Sequence, residues 1–262
     1  MNVARLSNGY IVTAKEYSPT KHGTQLFCID RACQSPVIFV SGGKNTAHFK
    51  TTGKLKSKHT AQCGFLRPLT FHESIAKMTE YQKQLKEAKG KTTIRLNMSK
   101  IDPEYKPKKT PQKIESVKDV TRLLTSFEPD ELAGIQVKVS DYKIPLTQMV
   151  LSSDEAHKSL WDGKLNNQIP YFVYGKISKV ARREKVYYIN LEQADNSLFT
   201  LIVFDKHFKY FTYTDEQLVN QDIIVYGFIR KNKVMAARSA SEIVIKSNDY
   251  LDFITNTNEV LP

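Results

Sequence analysis

The chain is 262 residues long, with 25% charged and 40% hydrophobic residues. That balance excludes a disordered polymer and suits two domains, or one domain with an added lobe. Its net charge is +12, and the excess is local: residues 44–113 hold seventeen Lys and Arg against five Asp and Glu, while the rest is balanced. A concentrated positive segment is the footprint of a polyanion binder, because each neutralised phosphate releases counterions. No run approaches ~18 apolar residues, and the opening MNVARLSNGYIVTAKEY has no apolar stretch behind a basic one, so neither a membrane partner nor a secretory leader is expected. An odd count of three cysteines argues against a disulfide framework and leads us to expect a cytoplasmic protein.

In chain order, residues 9–41 read as short strands (GYIVTAKEY, TQLFCI, SPVIFVSGG) with a turn at Gly42-Gly43, giving a small β lobe over 1–68. TFHESIAKMTEYQKQLKEAKG predicts a helix: Thr70 and Glu73 form a capping box, Ile75, Met78 and Leu85 line one face, and Gly90 ends it. Residues 91–113 are rich in Pro and Lys without periodicity and are expected to be a linker. Val117, Val120, Leu124 and Phe127 recur at helical spacing, which predicts a second helix over 116–127. Strand-like IQVKV and PLTQMVL follow, then a short helix around DEAHKSLW, completing a helical and basic connector over 69–163.

The last third has the strongest pattern. IPYFVYGKISKVA, KVYYINLEQ and SLFTLIVFD read as three strands at hairpin spacing, followed by a more helical stretch from His207 to Asn220. DIIVYGFIRK and KVMAARSASEIVI add two strands, joined at a tight turn at Lys231-Asn232. Three strands, a helix and two strands is the order of a five-stranded OB barrel, here over 164–248 with a tail at 249–262. Gly175 and Gly227 lie inside the first and fourth strands, where a small barrel needs sharp bends or close backbone approach.

All three cysteines fall between residues 28 and 63. Cys28 and Cys33 flank the short loop CIDRAC, and His59 and Cys63 form a second pair as H-x3-C. Two close pairs on separate loops can bring four N and S ligands to the corners of a tetrahedron, which is what a structural Zn2+ site requires. Cys28, Cys33, His59 and Cys63 are therefore the expected ligands, with His48 as the alternative nitrogen donor. A lobe with so little apolar content needs such a staple. The expected fold class is α+β: a zinc-stapled β lobe, a helical connector and a C-terminal OB-like barrel.

The opening SNGYIVTAKE and the stretch FCIDRACQSPVIFVSGGKNTAHF resemble the N-terminal zinc-finger lobe of the competence protein CoiA and related bacterial proteins. The resemblance rests on Cys28, Cys33, Gly42-Gly43 and His48-Phe49 and covers about the first quarter of the chain. HFKT stands where the family has a second histidine after His-Phe, which shifts the ligand role from His48 towards His59 and Cys63. In CoiA relatives such a lobe often precedes a restriction-type nuclease with a Pro-Asp followed by Asp/Glu-x-Lys. The resemblance thus implies Asp130, Asp141 and Lys143 as an alternative, metal-dependent nuclease site in PDELAGIQVKVSDYK. Against it, Pro145 fits badly in the central strand such a site needs.

OB barrels bind oligonucleotides with the face of strands two and three and with the loops between strands one and two and strands four and five. The first loop is read as SKVARREK, with Lys179, Arg182, Arg183 and Lys185; the second as IRKNKV, with Arg230, Lys231 and Lys233. Alternation sends one of Tyr187 and Tyr188, and one of Phe199 and Phe204, outward as stacking platforms. Lys50, Lys54, Lys56 and Lys58 add a basic loop on the lobe. The expected function is binding of nucleic acid, single-stranded DNA in preference to duplex, without chemistry of its own. A protein–protein adaptor is the remaining reading, since fold does not fix function. HFKYFTY, from His207 to Tyr213, is expected to be a buried amphipathic segment.

Overall fold

The computed structural model describes residues 1–42, 46–54, 56–85, 92–95, 114, 116–139, 141–232 and 239–255. Gly43, Lys233 and most of the expected linker lie outside them. By contact the chain divides into two units, one of residues 1–94, 123–137 and 145–147, the other of 95–122, 138–144 and 148–262.

The first unit opens with β1 (Val3–Leu6), β2 (Ile11–Thr13), α1 (Pro19–His22), β3 (Leu26–Phe27), β4 (Pro36–Val40) and β5 (His48–Lys50). The strands form one sheet in the order β2-β1-β3-β4-β5. Period-two alternation buries Val12, Val37 and Phe49, β1 buries Val3, Ala4 and Leu6, and Tyr17, Phe39 and Phe49 pack ring against ring at 4.9–5.7 Å. Helix α2 (Phe71–Leu85) begins at the expected reciprocal cap: Glu73 Oε2 accepts from the Thr70 amide at 2.9 Å, and Thr70 Oγ1 accepts from the Glu73 amide at 3.4 Å. Its buried stripe is Phe71, Ile75, Met78 and Tyr81.

β6 (Thr92–Arg95) is a strand inside the expected linker. α3 (Val117–Ser126) matches the predicted second helix and buries Val117, Val120, Leu123 and Leu124. Pro129 starts α4 (Pro129–Ala133), which packs on α2. Buried Asp130 accepts hydrogen bonds from the Asn2 and Val3 amides at 2.6 and 3.1 Å, joining α4 to β1. β7 (Ile135–Val139) and β8 (Tyr142–Pro145) follow. PLTQMVL, expected as a strand, is instead a helical turn, α5 (Leu146–Met149), leading into β9 (Val150–Ser152). Leu146 and Met149 are buried by the i, i+3 spacing of that turn.

The second unit is built on β10 (Tyr171–Arg183), β11 (Val186–Leu191) and β12 (Leu198–Phe204), an antiparallel meander. α6 (Ser153–Trp161), with a capping box between Ser152 and Glu155, packs against these strands. α7 (Asp215–Leu218) leads to β13 (Asp222–Gly227), antiparallel to the first half of β10. β14 (Arg230–Asn232) pairs with β15 (Ala240–Val244), which runs parallel to β12. β16 (Leu251–Phe253) pairs with β13, within the segment expected to be a tail.

The hydrogen-bonded order is β14-β15-β12-β11-β10-β13-β16, with β9 beside β10. The five principal strands thus follow the path of the expected OB-like barrel, as a curled, open half-barrel. Residues 171–176 of β10 pair with β13 and 177–183 with β11, and a register shift between Ile177 and Lys179 lets one strand turn between them. Gly227 brings the β13 side over β15: a Cβ there would lie 2.5 Å from Ile243 Cγ2. The expected tight turn at Lys231-Asn232 is not found. Both residues sit in β14, paired with Ser241 and Ala240, because β13 ends at Gly227 and the chain starts a new strand.

Candidate metal centre and nucleic-acid interface

Cys28 directly follows β3, and the CIDRAC loop turns back so that the Cys28 amide donates to the Ser35 carbonyl at 2.8 Å. The second pair is set by a tight turn in which the Cys63 amide donates to the Thr60 carbonyl at 3.0 Å. The Ser35 hydroxyl donates to the Lys58 carbonyl and ties the two loops together. The result is a cluster of Cys28, Cys33, His59 and Cys63 whose ligand atoms all lie within 4.8 Å of one another.

Its edges can be compared with a tetrahedron. With metal–sulfur bonds of about 2.3 Å and metal–nitrogen bonds of about 2.0 Å, sulfur–sulfur edges are about 3.8 Å and sulfur–nitrogen edges about 3.5 Å. Cys28 Sγ and Cys63 Sγ are 3.7 Å apart, and His59 Nδ1 is 3.4 Å from Cys33 Sγ and 3.2 Å from Cys63 Sγ. A donor set of three sulfurs and one imidazole at these spacings fits a closed, structural metal site, with His59 supplying Nδ1. His48 is not part of the cluster: it lies on β5 with Nδ1 3.0 Å from the Thr46 carbonyl.

The three thiols crowd one another. The Cys63 thiol, hydrogen-bonded by Cys28, is brought down to about 7, and Cys28, engaged by Cys63 and buried, is pushed far up. Burial opposes ionisation of Cys33, yet its contacts with Ser35, Thr60 and His59 bring it below the usual thiol range.

Around this cluster lies a network that sequence reasoning missed. Asp30, inside the CIDRAC loop, is fully buried and accepts from four donors. These are the Ala32 amide at 2.9 Å, the Gly64 amide at 2.9 Å, the Tyr81 hydroxyl at 2.7 Å and the Lys77 ammonium at 2.8 Å. Burial would raise the Asp30 carboxyl, but Lys77 and the other donors outweigh it and hold it below its ordinary value. Burial and Asp30 together push the Tyr81 phenol far up. One carboxylate thus joins both ligand loops to α2. Gly64 is needed for this approach, since a Cβ would lie 2.8 Å from the Tyr81 hydroxyl. The detectable signal was Lys77 and Tyr81, spaced i, i+4 on a helix, facing an aspartate between two cysteines.

On the half-barrel, the register sorts the expected contacts into two faces. Arg182 pairs with Tyr187, and both are committed internally. Arg182 Nε donates to Asp215 Oδ1 at 2.5 Å and Nη2 to the Tyr213 carbonyl at 2.6 Å, and its guanidinium lies 4.4 Å from the Tyr187 ring centroid. Tyr187 stacks on Phe208 at 3.7 Å and 6°. Phe199 is buried in the core.

The opposite, outer face carries Lys179, Arg183, Tyr188 and Phe204. Lys179 and Arg183 are exposed and lie in β10, not in a loop as expected. The Arg183 guanidinium is 5.7 Å from the Tyr188 centroid, and Phe204, at the end of β12, is 40% exposed. Lys185 at the hairpin tip and Arg230 and Lys231 on β14 are also exposed, with Lys231 Nζ 4.8 Å from the Trp161 ring centroid. On the lobe, Lys50, Lys54, Lys56 and Lys58 are all exposed. Lys54 and its neighbours lie on a turn closed by the Gly53 amide donating to the Ser57 carbonyl at 2.9 Å.

Asp130 begins a helix, and its carboxylate is taken by the amides of Asn2 and Val3. Asp141 and Lys143 are exposed at the β7–β8 hairpin. Neither carboxylate belongs to the cluster of potential metal ligands found among the described residues.

No protein-family model matches the chain, and no curated protein does. Among solved structures it is similar to the aspartyl tRNA synthetase from Entamoeba histolytica, at 11% identity and TM-score 0.26, over 33% of this chain and 18% of that one. It is also similar to a chain of the S. pombe Stn1-ten1 complex, at 10% identity and TM-score 0.25, over 34% of this chain and 61% of that one. For asparaginyl-tRNA synthetase from Pyrococcus horikoshii the values are 12% and 0.25, over 36% and 22%. The chain thus spans about a fifth of these synthetases' own length. Overlaps this slight carry no argument, so the OB-like description rests on strand order and register. What the two units supply is an OB-like half-barrel and a Cys/His cluster with the geometry of a structural metal site.

Proposed function

We propose that the chain binds nucleic acid, single-stranded DNA in preference to duplex, on the outer face of β10–β12, with a lobe ordered by structural Zn2+. The observation that carries this reading is the interleaving, on the outer face of the sheet, of exposed Lys179, Arg183 and Phe204 with half-buried Tyr188. Cations there meet phosphates, while Tyr188 and Phe204 offer rings to unstacked bases, which a duplex does not present. Zn2+ held by Cys28, Cys33, His59 and Cys63 fixes the loop that bears Lys54, Lys56 and Lys58. These lysines add non-specific, salt-dependent affinity.

Fluorescence anisotropy with a labelled oligodeoxythymidylate tests the proposal. Phe204→Ala is expected to weaken binding about tenfold, the worth of one lost base–aromatic stack. Lys179→Ala with Arg183→Ala is expected to reduce the salt dependence. Wild-type affinity and salt dependence in both variants would exclude this face. Magnesium-dependent cleavage lost in Asp141→Ala would move the assignment to the nuclease reading.

A further inference from the structure

The segment Asp205–Tyr210, DKHFKY, is a 3-10 turn that buries none of its residues. Its anchors face inward: Phe208 stacks on Tyr187, the following Phe211 is buried, and the Thr212 amide donates to Asn248 Oδ1 at 3.0 Å. What remains faces solvent. Lys206 and Lys209 are exposed, Tyr210 is 54% exposed, and Lys209 Nζ sits 4.7 Å from the Tyr210 ring centroid.

Two further cations border the turn. The Asp205 amide donates to the Lys185 carbonyl at 3.1 Å, which sets exposed Lys185 beside it. The Ile245 amide donates to the Ile202 carbonyl at 2.8 Å, which sets exposed Lys246 beside the end of β12 where the turn begins; burial, then the charges of Lys206 and Lys246, hold the His207 imidazole below its ordinary value. Asp205 is the carboxylate of the turn itself, and its Oδ1 is engaged by the Lys206 amide at 2.7 Å. The turn starts immediately after Phe204, at the end of β12, and its Phe208 packs on Tyr187 of the opposite face, so the turn wraps the end of the sheet next to Phe204.

We infer that this turn is a second station for the same strand of nucleic acid, where Lys185, Lys206, Lys209 and Lys246 meet phosphates and Tyr210 stacks one base beyond Phe204. The inference rests on the proposed nucleic-acid binding and extends it to a defined path along the surface. Charge complementarity selects a polyanion, and an exposed ring beside the cations selects one that carries unstacked bases. Because the anchors are internal, the station is held in place before the ligand arrives, which lowers the ordering cost of binding.

The test uses the full, metal-loaded chain and labelled oligodeoxythymidylates of about six and about sixteen nucleotides, near the short and long ends of OB-fold site sizes. In the variant Lys206→Gln, Lys209→Gln, Lys246→Gln, Tyr210→Ala, affinity for the longer strand is expected to fall at least about tenfold. Its logarithmic salt slope should fall by about 2, from about 0.7 per lost phosphate contact. Affinity for the shorter strand should stay at the wild-type level. The single exchange Lys209→Gln provides the same comparison at smaller size should the quadruple variant not fold. Equal affinity of variant and wild type for the longer strand would overturn the inference and leave the barrel-face proposal standing. A wild type that binds neither strand would overturn both. Competition by polyglutamate as effective as by the oligonucleotide would assign the turn to an acidic protein and also overturn it.

Discussion

The Tyr81 hydroxyl donates to Asp30 Oδ2 at 2.7 Å across 51 residues of sequence, with both side chains removed from solvent. Asp30 lies between Cys28 and Cys33, and Tyr81 on the buried stripe of α2, so this bond makes the loops of the Cys/His cluster and the helix one packed body. Phe65 extends the contact, stacking on Tyr81 at 5.6 Å and lying 5.9 Å from His59. Asp30→Ala would leave the Gly64 amide and the Tyr81 hydroxyl without their acceptor and the Lys77 ammonium with Glu80 alone. We expect it to cost about 3–5 kcal/mol, as for other broken buried ion pairs. It should also weaken metal binding about 10–100-fold. Tyr81→Phe removes a single donor and should cost about 1–2 kcal/mol. Denaturant midpoints and competition with a metal indicator measure both, and wild-type values for Asp30→Ala would contradict the network's role.

His59, not His48, stands in the cluster. His59→Ala is expected to purify with no stoichiometric zinc and to unfold the lobe at lower denaturant. His48→Ala should keep one zinc per chain by elemental analysis. The reverse result would refute the assignment of Nδ1.

Asp130 provides a pH test that does not involve the Cys/His cluster. Burial pushes its carboxyl up to about 6, against an ordinary 3.8. Since the folded value lies above the unfolded one, the ionised form costs stability. That cost is full above about pH 6 and fades as the pH falls towards 3.8. Relative to Asp130→Asn, the wild type should therefore gain stability between neutral pH and about pH 4. Chemical denaturation of both proteins across that range checks the sign, and a relative loss would contradict it.

Gly227→Ala places a methyl against Ile243 Cγ2, at 2.5 Å before relaxation. We expect a loss of about 1–3 kcal/mol from overpacking. The double variant with Ile243→Ala should lose less than the sum of the single changes, because one substitution makes room for the other.

The sequence carried the features that local patterns encode. Spacing placed Cys28, Cys33 and Cys63 in one cluster, the Thr70–Glu73 cap marked the start of α2, and β-branched runs located β10 to β12. Features that depend on distant packing stayed hidden. Asp30 reads as an ordinary loop residue until Tyr81 and Lys77 are seen around it. Arg182 and Arg183 are neighbours in sequence and both exposed, yet alternation turns one towards Asp215 and the Tyr187 ring and the other towards Tyr188 on the opposite face. HFKYFTY was expected to be a buried amphipathic segment; only the packing shows which side is which, with Phe208 on Tyr187 and Phe211 buried while Lys209 and Tyr210 stay outside. The Lys231-Asn232 dipeptide has turn composition, and only its register with Ser241 and Ala240 reveals a strand.

The most direct test of the central claim is the affinity of the zinc-loaded chain for a single-stranded oligonucleotide, measured across a salt series. Tracking of three or more phosphates predicts a logarithmic slope steeper than about −2, with single-stranded DNA bound more tightly than duplex. Absence of binding, or an affinity indifferent to salt, would contradict it.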